Sequence, residues 1–203
     1  MPRPPDPRVR TALIERAAEM VARREPVTLR SVVDGLGVST IAVYTYFDGM
    51  PGLWRAVRQE GFSRLAEHLA AVPATRDPVR DLVALGRAYT SNALENPSLY
   101  RTMFDAGFDL EDPESAGRSF GLLVAAAARA RDAGRFAAGT DPADVANRFW
   151  IFGHGILMLI LTGAVDESAL AQHVPATARA LFVAAGDEPI ACARSVRLGW
   201  GAR

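Results

Sequence analysis

Three histidines, one cysteine and 23 acidic side chains are the raw material for catalysis or metal binding in this 203-residue chain. His68, His154 and His173 lie far apart, with no acidic neighbour at metal-ligand spacing. No Gly-x-Ser-x-Gly elbow and no phosphate-cradling loop occurs. No enzyme, metal or cofactor is therefore expected. The chemistry that the spacing does offer is hydrogen bonding by short side chains within residues 28 to 47, TLRSVVDGLGVSTIAVYTYF. Thr28, Ser31, Ser39, Thr40 and Thr45 bring hydroxyls, Arg30 a guanidinium, and Tyr44 and Tyr46 phenols. Ile41 and Ala42 add small apolar contacts that can meet thymine methyl groups. Such a set can place phosphates and touch base edges if one rigid face presents it.

The elements that would build that face are legible on either side. Thr28 is a hydroxyl N-cap, and Leu29, Val32 and Val33 follow at the i, i+3, i+4 spacing of an inward helical face. Gly37 stands where that helix must stop in a left-handed backbone, and Val38 can then fill the corner. Ser39 is read as the cap of a second helix ending near Tyr46. Two short helices around a glycine turn form a helix-turn-helix, which presents its second helix to a major groove. A helical corner with no partner has the same local pattern. The continuation, Tyr44-Thr45-Tyr46-Phe47 and then Asp48-Gly49-Met50-Pro51-Gly52-Leu53, separates the two by adding an aromatic cluster and a turn before a further helix.

With Gly37-Val38-Ser39, Tyr44-Thr45-Tyr46-Phe47 and Leu53 in register, the chain resembles the TetR family of bacterial transcriptional regulators over about residues 8 to 65. The resemblance implies a DNA-binding regulator, by the family's usual habit a repressor released from a palindromic operator by a small effector. Two positions depart from the family pattern. Met50 stands where a phosphate-binding Lys is usual, and Val33 replaces a common Ala. Anchoring is then expected from Arg30, Tyr44 and the N-terminal Arg3 and Arg8. The groove-facing set by this reading is Arg30, Ser31, Thr40, Ile41, Ala42, Thr45 and Tyr46, with Thr28, Ser39 and Tyr44 on phosphates.

Composition sets wider limits. Apolar residues make up 49% and charged residues 23%, as in globular rather than disordered chains. The net charge is zero, but residues 1 to 60 hold nine Arg against seven acids, and residues 61 to 203 hold fourteen against sixteen. All 23 basic residues are Arg, a bias that a genome rich in G and C would produce without functional demand. One cysteine, Cys192, allows no intrachain disulfide, and no basic-plus-apolar leader opens the chain. A cytoplasmic protein is expected. Phe149 to Val165 is apolar over only seventeen residues, with His154 inside it and charges at both ends. That is short of the ~20 residues a membrane span needs and suits a core or subunit interface.

Five Asp-Pro or Asn-Pro pairs, at Asp6, Asp77, Asn96, Asp112 and Asp141, each join an N-cap to a proline suited to a first helical turn. Asp144 three residues after Asp141 resembles a capping box. Together with the helical recurrence of apolar residues, these signals predict an all-α chain. Its nine helices fall near 7–23, 29–35, 39–46, 51–71, 78–95, 97–107, 113–132, 141–163 and 168–185. The division expected is a DNA-binding domain over 1–50, a connecting helix 51–71 acting as a lever, and a ligand-binding and dimerisation domain over 72–185. Residues 186–203, with Gly186, Pro189, Gly199 and Gly201, read as a loosely held tail.

The larger region is rich in apolar side chains that either fill a core or line a cavity for a small apolar effector. Tyr89, Tyr100, Met103, Phe104, Phe108, Phe120, Asn147, Trp150, His154 and Met158 form the candidate ligand set. Trp150-Ile-Phe-Gly-His154-Gly155 resembles a Trp-x-x-x-His-Gly motif of one TetR subgroup. His154 is read either as a satisfied core imidazole or as a donor to the effector. Because one recognition helix reads about half a site, a homodimer through 141–163 and 168–185 is expected. The competing reading is a helical ligand-binding or protein-interaction module whose helix-turn-helix is only structural.

Overall fold

The structure is a computed structural model, and it describes residues 6–105, 107 and 109–201. Among the described residues there are ten helices and no strand, which gives the all-α class expected. They are α1 Pro7–Ala22, α2 Leu29–Val33, α3 Ile41–Phe47, α4 Met50–Ala70, α5 Pro78–Glu95, α6 Pro97–Met103, α7 Ser115–Asp132, α8 Pro142–Leu161, α9 Ser168–Ala184 and α10 Pro189–Trp200. Arg3 and Phe108, named above, lie outside the described residues.

The Asp-Pro rule places most helix starts. Asp6 accepts from the Arg8 amide, Asp77 from Arg80 and Asp141 from Ala143, with proline at or beside the first helical position. Two starts differ. Asp112 caps a turn first and α7 begins only at Ser115, whose amide donates to the Asp112 carbonyl. At α8 no reciprocal box forms, because Asp144 pairs with Arg148 one turn on, at 2.9 Å. An ion pair on an exposed face competes successfully with a bond back to the cap.

The chain divides into two compact units. The first contains the residues up to Arg64 together with Asn96–Ala116, and the second contains Leu65–Glu95 and Gly117 onward. This grouping cuts across a division by chain order, since α6 joins the helix-turn-helix unit. Its Leu99 is buried in the same core as Leu13, Ile14, Ala17 and Ala18 of α1, Val32 of α2, Val43 and Phe47 of α3, and Leu53 and Val57 of α4. Gly61 lets α4 approach α6 closely, as a Cβ there would lie 2.6 Å from Met103 Cβ.

The second unit buries faces of α5, α7, α8 and α9 around Phe149 and Phe182, whose rings meet edge to face at 5.4 Å. Gly86 admits the Phe149 ring, since a Cβ there would be 2.6 Å from it. Polar staples run between the helices. Asp81, almost fully buried, accepts from the Thr75 hydroxyl at 2.6 Å, the Thr75 amide at 2.8 Å and Arg129 at 2.8 Å. Burial acts to raise this carboxyl, but the bonds from Thr75 and Arg129 outweigh it and hold it below the ordinary range.

The expected loose tail is instead α10, and the count rises from nine helices to ten. Glu188 caps it by accepting from Ile190 and Ala191, and Pro189 occupies the first turn. Gly199 lies directly on α5, where a Cβ would overlap the Arg80 carbonyl. Three glycines suggest looseness on paper, but one is a close-approach site and two, Gly186 and Gly201, hold φ of +111° and +79°. Cys192 is buried in this helix, where desolvation pushes its thiol up to about 12, so it stays protonated and inert.

Among the described helices, α8 is long and apolar enough to cross a membrane, at 20 residues with 28% of its apolar window buried.

Candidate functional site

The turn between α2 and α3 needs two left-handed residues rather than one. Gly35 has φ +76° and Gly37 φ +67°, so α2 ends at Val33, earlier than expected. Val38 packs against the core of the unit, as the corner requires. At its start, α2 is closed by a capping box: the Ser31 amide donates to Thr28 Oγ1 at 3.1 Å and the Thr28 amide to Ser31 Oγ at 2.9 Å. The hydroxyls of Thr28 and Ser31 are thereby committed to the helix end. Between them in sequence, Arg30 is exposed.

Ser39 does not cap α3. The cap residue is Thr40, in helical conformation at φ −58°, ψ −20° and without a side-chain bond, while the Ser39 carbonyl takes the Ala42 amide at 3.0 Å. An opening turn of this kind satisfies the amides through the backbone, and it leaves the Ser39 and Thr40 hydroxyls without a partner among the described residues. Ile41 is 69% exposed and Tyr44 is 56% exposed. Ala42 and Tyr46 are half-buried and pack on the core, and Thr45 is exposed but bonds back to the Ile41 carbonyl at 3.0 Å. One face of α3 therefore presents Ser39, Thr40, Ile41, Tyr44 and Thr45, with Tyr46 at its margin. Val43 and Phe47 point inward.

Sequence reasoning missed how the far end of α3 is held. Asp48 takes a left-handed φ of +57° and donates its amide to Tyr44 O at 3.0 Å, while Gly49 donates to Val43 O. Gly52 then brings α4 against the Phe47 carbonyl so closely that a Cβ would overlap it. The signal was present in Phe47-Asp48-Gly49-Met50-Pro51-Gly52, where two glycines flank a proline. Met50 is half-buried and packs on the unit's core, so the position that departs from the family pattern serves packing.

The candidate ligand residues fall into two groups. Tyr100, Met103 and Phe104 belong to the first unit, where Phe104 meets Phe62 and Tyr100 edge to face at 5.8 and 5.4 Å. Tyr89, Phe120, Asn147, Trp150, His154 and Met158 belong to the second. There Asn147 is exposed, and Met158 and Phe120 are half-buried. Tyr89, Trp150 and His154 form a chain of polar groups: Trp150 Nε1 lies 3.2 Å from Tyr89 Oη, which lies 3.3 Å from His154 Nδ1. Indole can only donate, so the Tyr89 oxygen accepts from Trp150. The bond between Tyr89 Oη and His154 Nδ1 can form with the neutral imidazole in either tautomer. Burial pushes the His154 imidazole below its ordinary value, in keeping with that neutral form.

Beside this chain, Gly86, Tyr89, Thr90, Leu123, Phe149, Trp150, Gly153 and Val174 enclose a cavity of about 10 Å³, room for one water. The side chains fill the space. A ligand of any size has to displace one of them, and Trp150 and Tyr89 are the largest.

The His154 geometry carries a pH prediction. The folded imidazole takes a proton less readily than the unfolded one, so the unfolded state binds more protons and stability falls as pH drops below the unfolded value of about 6.5. Denaturant midpoints measured between about pH 7.5 and 5 should decline more for the wild type than for His154→Phe over that window. Equal declines would mean that His154 takes up its proton without cost.

The chain is similar to known proteins in family and fold. The family described as Tetracyclin repressor-like, C-terminal domain, matches residues 82–184. An uncharacterized HTH-type transcriptional regulator of Mycobacterium tuberculosis is 25% identical over 160 residues, covering 78% of this chain and 72% of that protein. Among solved structures, a protein of unknown function from Rhodococcus sp. RHA1 has a TM-score of 0.73 at 24% identity, covering 88% of this chain and 96% of that one. The TetR family protein CprB of S. coelicolor A3(2) has a TM-score of 0.72 at 20% identity, covering 95% and 96%. The family match spans half of the chain, and α2 and α3 precede it as a helix-turn-helix with an exposed second helix. The chain belongs to the TetR family of ligand-responsive, DNA-binding transcriptional regulators.

Proposed function

We propose that this regulator is a cytoplasmic homodimeric repressor that holds a palindromic operator through α3 and releases it when a small apolar effector binds the second unit. The observation that carries the DNA contact is the outward face of α3, where Ile41 and Tyr44 stand in water beside the unbonded hydroxyls of Ser39 and Thr40. Ile41 and Ala42 suit thymine methyl groups, and Thr40, Thr45 and Tyr46 suit base edges or the backbone. Arg30, Tyr44 and Ser39 suit phosphates, with Arg8 as a further anchor. Thr28 and Ser31 contribute by fixing the start of α2.

The test is selection of a duplex by the wild-type chain from a random library, followed by gel shift with and without unlabelled competitor. Thr40→Ala and Tyr46→Ala should each weaken the selected duplex about tenfold and random duplex far less. Equal losses on both would reduce these residues to positioning, and selection of no sequence would remove the DNA reading.

The dimer rests on faces that α8 and α9 leave open. Ile151, Gly155 and Leu159 recur every fourth residue on α8 and are exposed, as are Ala176, Ala180 and Ala184 on α9. Doubled across a two-fold axis, an aliphatic stripe and a small-residue stripe form a four-helix interface. This accounts for the low burial of α8 without a membrane. Ile151→Asp should shift sedimentation of a micromolar sample from dimer to monomer; a wild-type monomer at that concentration would remove the dimer.

Because the cavity beside Trp150 holds about one water, the effector acts by population shift. It binds a state in which the Trp150, Tyr89 and His154 chain has opened, and α4, whose residues belong to both units, transmits the change.

A further inference from the structure

The side chain that braces the end of the recognition helix is Arg10, on α1. Its guanidinium lies over the ring of Phe47, the last residue of α3, 5.5 Å from the centroid. Its Nη2 is 3.2 Å from both carboxylate oxygens of Glu111. Glu111 is 101 residues away in sequence, on the segment between α6 and α7. That segment is itself fastened to α4. Gln59 Oε1 accepts from the Asp112 amide at 2.9 Å, and where the segment leaves α6, Arg58 Nε donates to the carbonyl of Met103, the last residue of that helix, at 3.1 Å. All of these residues belong to the first compact unit.

We propose that Glu111 is a positioning residue for DNA recognition: through Arg10 it fixes the end of α3, so the reading head includes a residue outside the helix-turn-helix. The physical argument is geometric. Phe47 is buried, and the Arg10 guanidinium covers one face of its ring. Arg10 alone is a flexible side chain on the first turns of α1. A carboxylate that meets it from a segment anchored on α4 removes that freedom and ties three elements, α1, α3 and α4, to one register. The opposite role, Glu111 as a brake that withholds Arg10 from DNA, makes a contrary prediction. The placement of Glu111 by Gln59 and Asp112 favours bracing.

The inference rests on the DNA reading proposed above, and the experiment separates the two. The full-length chain is compared with Arg10→Ala, Glu111→Ala and the double variant, on the duplex selected by the wild type and on random duplex, over a salt series. Each single variant should weaken the selected duplex by roughly three- to tenfold, the scale of an exposed ion pair with a cation–π contact, and leave random duplex nearly unchanged. The double variant should be no weaker than Arg10→Ala, because the two side chains act as one unit. Glu111→Gln, which keeps the shape, should show most of the loss. Wild-type affinity in Glu111→Ala, additive losses, or tighter binding with a steeper salt dependence would each overturn the proposal. Thermal unfolding of each variant reports folding: a Glu111→Ala chain that binds poorly only because it unfolds, with Glu111→Gln binding like the wild type, would also overturn it. A wild type that selects no duplex fails at the earlier step and takes the inference with it.

Discussion

Gly52→Ala should destabilise the helix-turn-helix unit by about 3 kcal/mol and abolish specific DNA binding at ordinary temperature, although it adds a single methyl group. The methyl would have to occupy the space of the Phe47 carbonyl oxygen. That atom belongs to backbone, at the point where α3 ends on the left-handed Asp48 and α4 begins, so no rotamer change can relieve it. Either α4 retreats, which opens the core around Leu53 and Val57, or Phe47 rotates and takes the end of the recognition helix with it. Both routes disturb the face that Tyr44 and Tyr46 present. The matched control is Gly121→Ala in α7, where a Cβ meets nothing within 4 Å. There the change should stabilise by about 0.5–1 kcal/mol, because alanine loses less backbone freedom in a helix. Denaturant unfolding and gel shift on both variants check this pair. A Gly52→Ala chain with the wild-type midpoint and affinity would show that the corner can relax.

Arg135→Ala should cost about 3–5 kcal/mol and release α10, the largest effect expected in the second unit. Arg135 donates to both oxygens of Asp187, at 2.6 and 2.8 Å, to Asp77 at 3.0 Å and to Ser195 at 3.0 Å, and Ser195 donates in turn to Asp77 at 2.6 Å. The Asp187 side chain has no solvent exposure. Removing the guanidinium therefore leaves a buried carboxylate with its charge unpaired, and this penalty exceeds anything an exposed pair could lose. The Asp187 hydrogen bonds, with its charge and that of Asp77, hold Arg135 above its ordinary value, so its charge is not in play at any working pH. Arg135→Lys keeps the charge but not the fork, and should fall between wild type and alanine. Hydrogen exchange of the α10 amides is the local readout, since that helix lies on α5 at Gly199 and bonds through Ser195 to Asp77, just before α5. A variant with the wild-type midpoint and unchanged exchange would mean that the network is dispensable.

These two sites show where reading the chain alone succeeds and where it stops. Helix starts were legible because an N-cap and a proline act within four residues, as at Asp6, Asp77 and Asp141. The glycine turn was legible for the same reason, although Gly35 shares the work assigned to Gly37. The cap of α3 was misread at Ser39 because a hydroxyl before a helix can cap it or stay free, and the choice depends on how the preceding turn closes. The tail was misread because glycines that admit a close neighbour look like glycines that loosen a chain. Gly199 is the first kind, and only α5 lying against it reveals the difference.

The ligand residues illustrate the same limit over longer distances. Tyr89, Trp150 and His154 belong together through hydrogen bonds spanning 61 and 65 residues, a pairing the Trp-x-x-x-His spacing on one helix only half supplies. Tyr100, Met103 and Phe104, of the same residue types, fall in the other unit because α6 packs on α1.

The amino-acid sequence by itself determined the all-helical class and the helix-turn-helix, because caps, glycine turns and helical periodicity act between neighbours. The tertiary structure alone decided which distant segments share a unit, that α10 is clamped by Arg135, that the space beside Trp150 is filled, and that Arg10 links Phe47 to Glu111. Burial, close approach and ion pairing across a hundred residues depend on the packed arrangement of helices, and local order along a chain does not encode them.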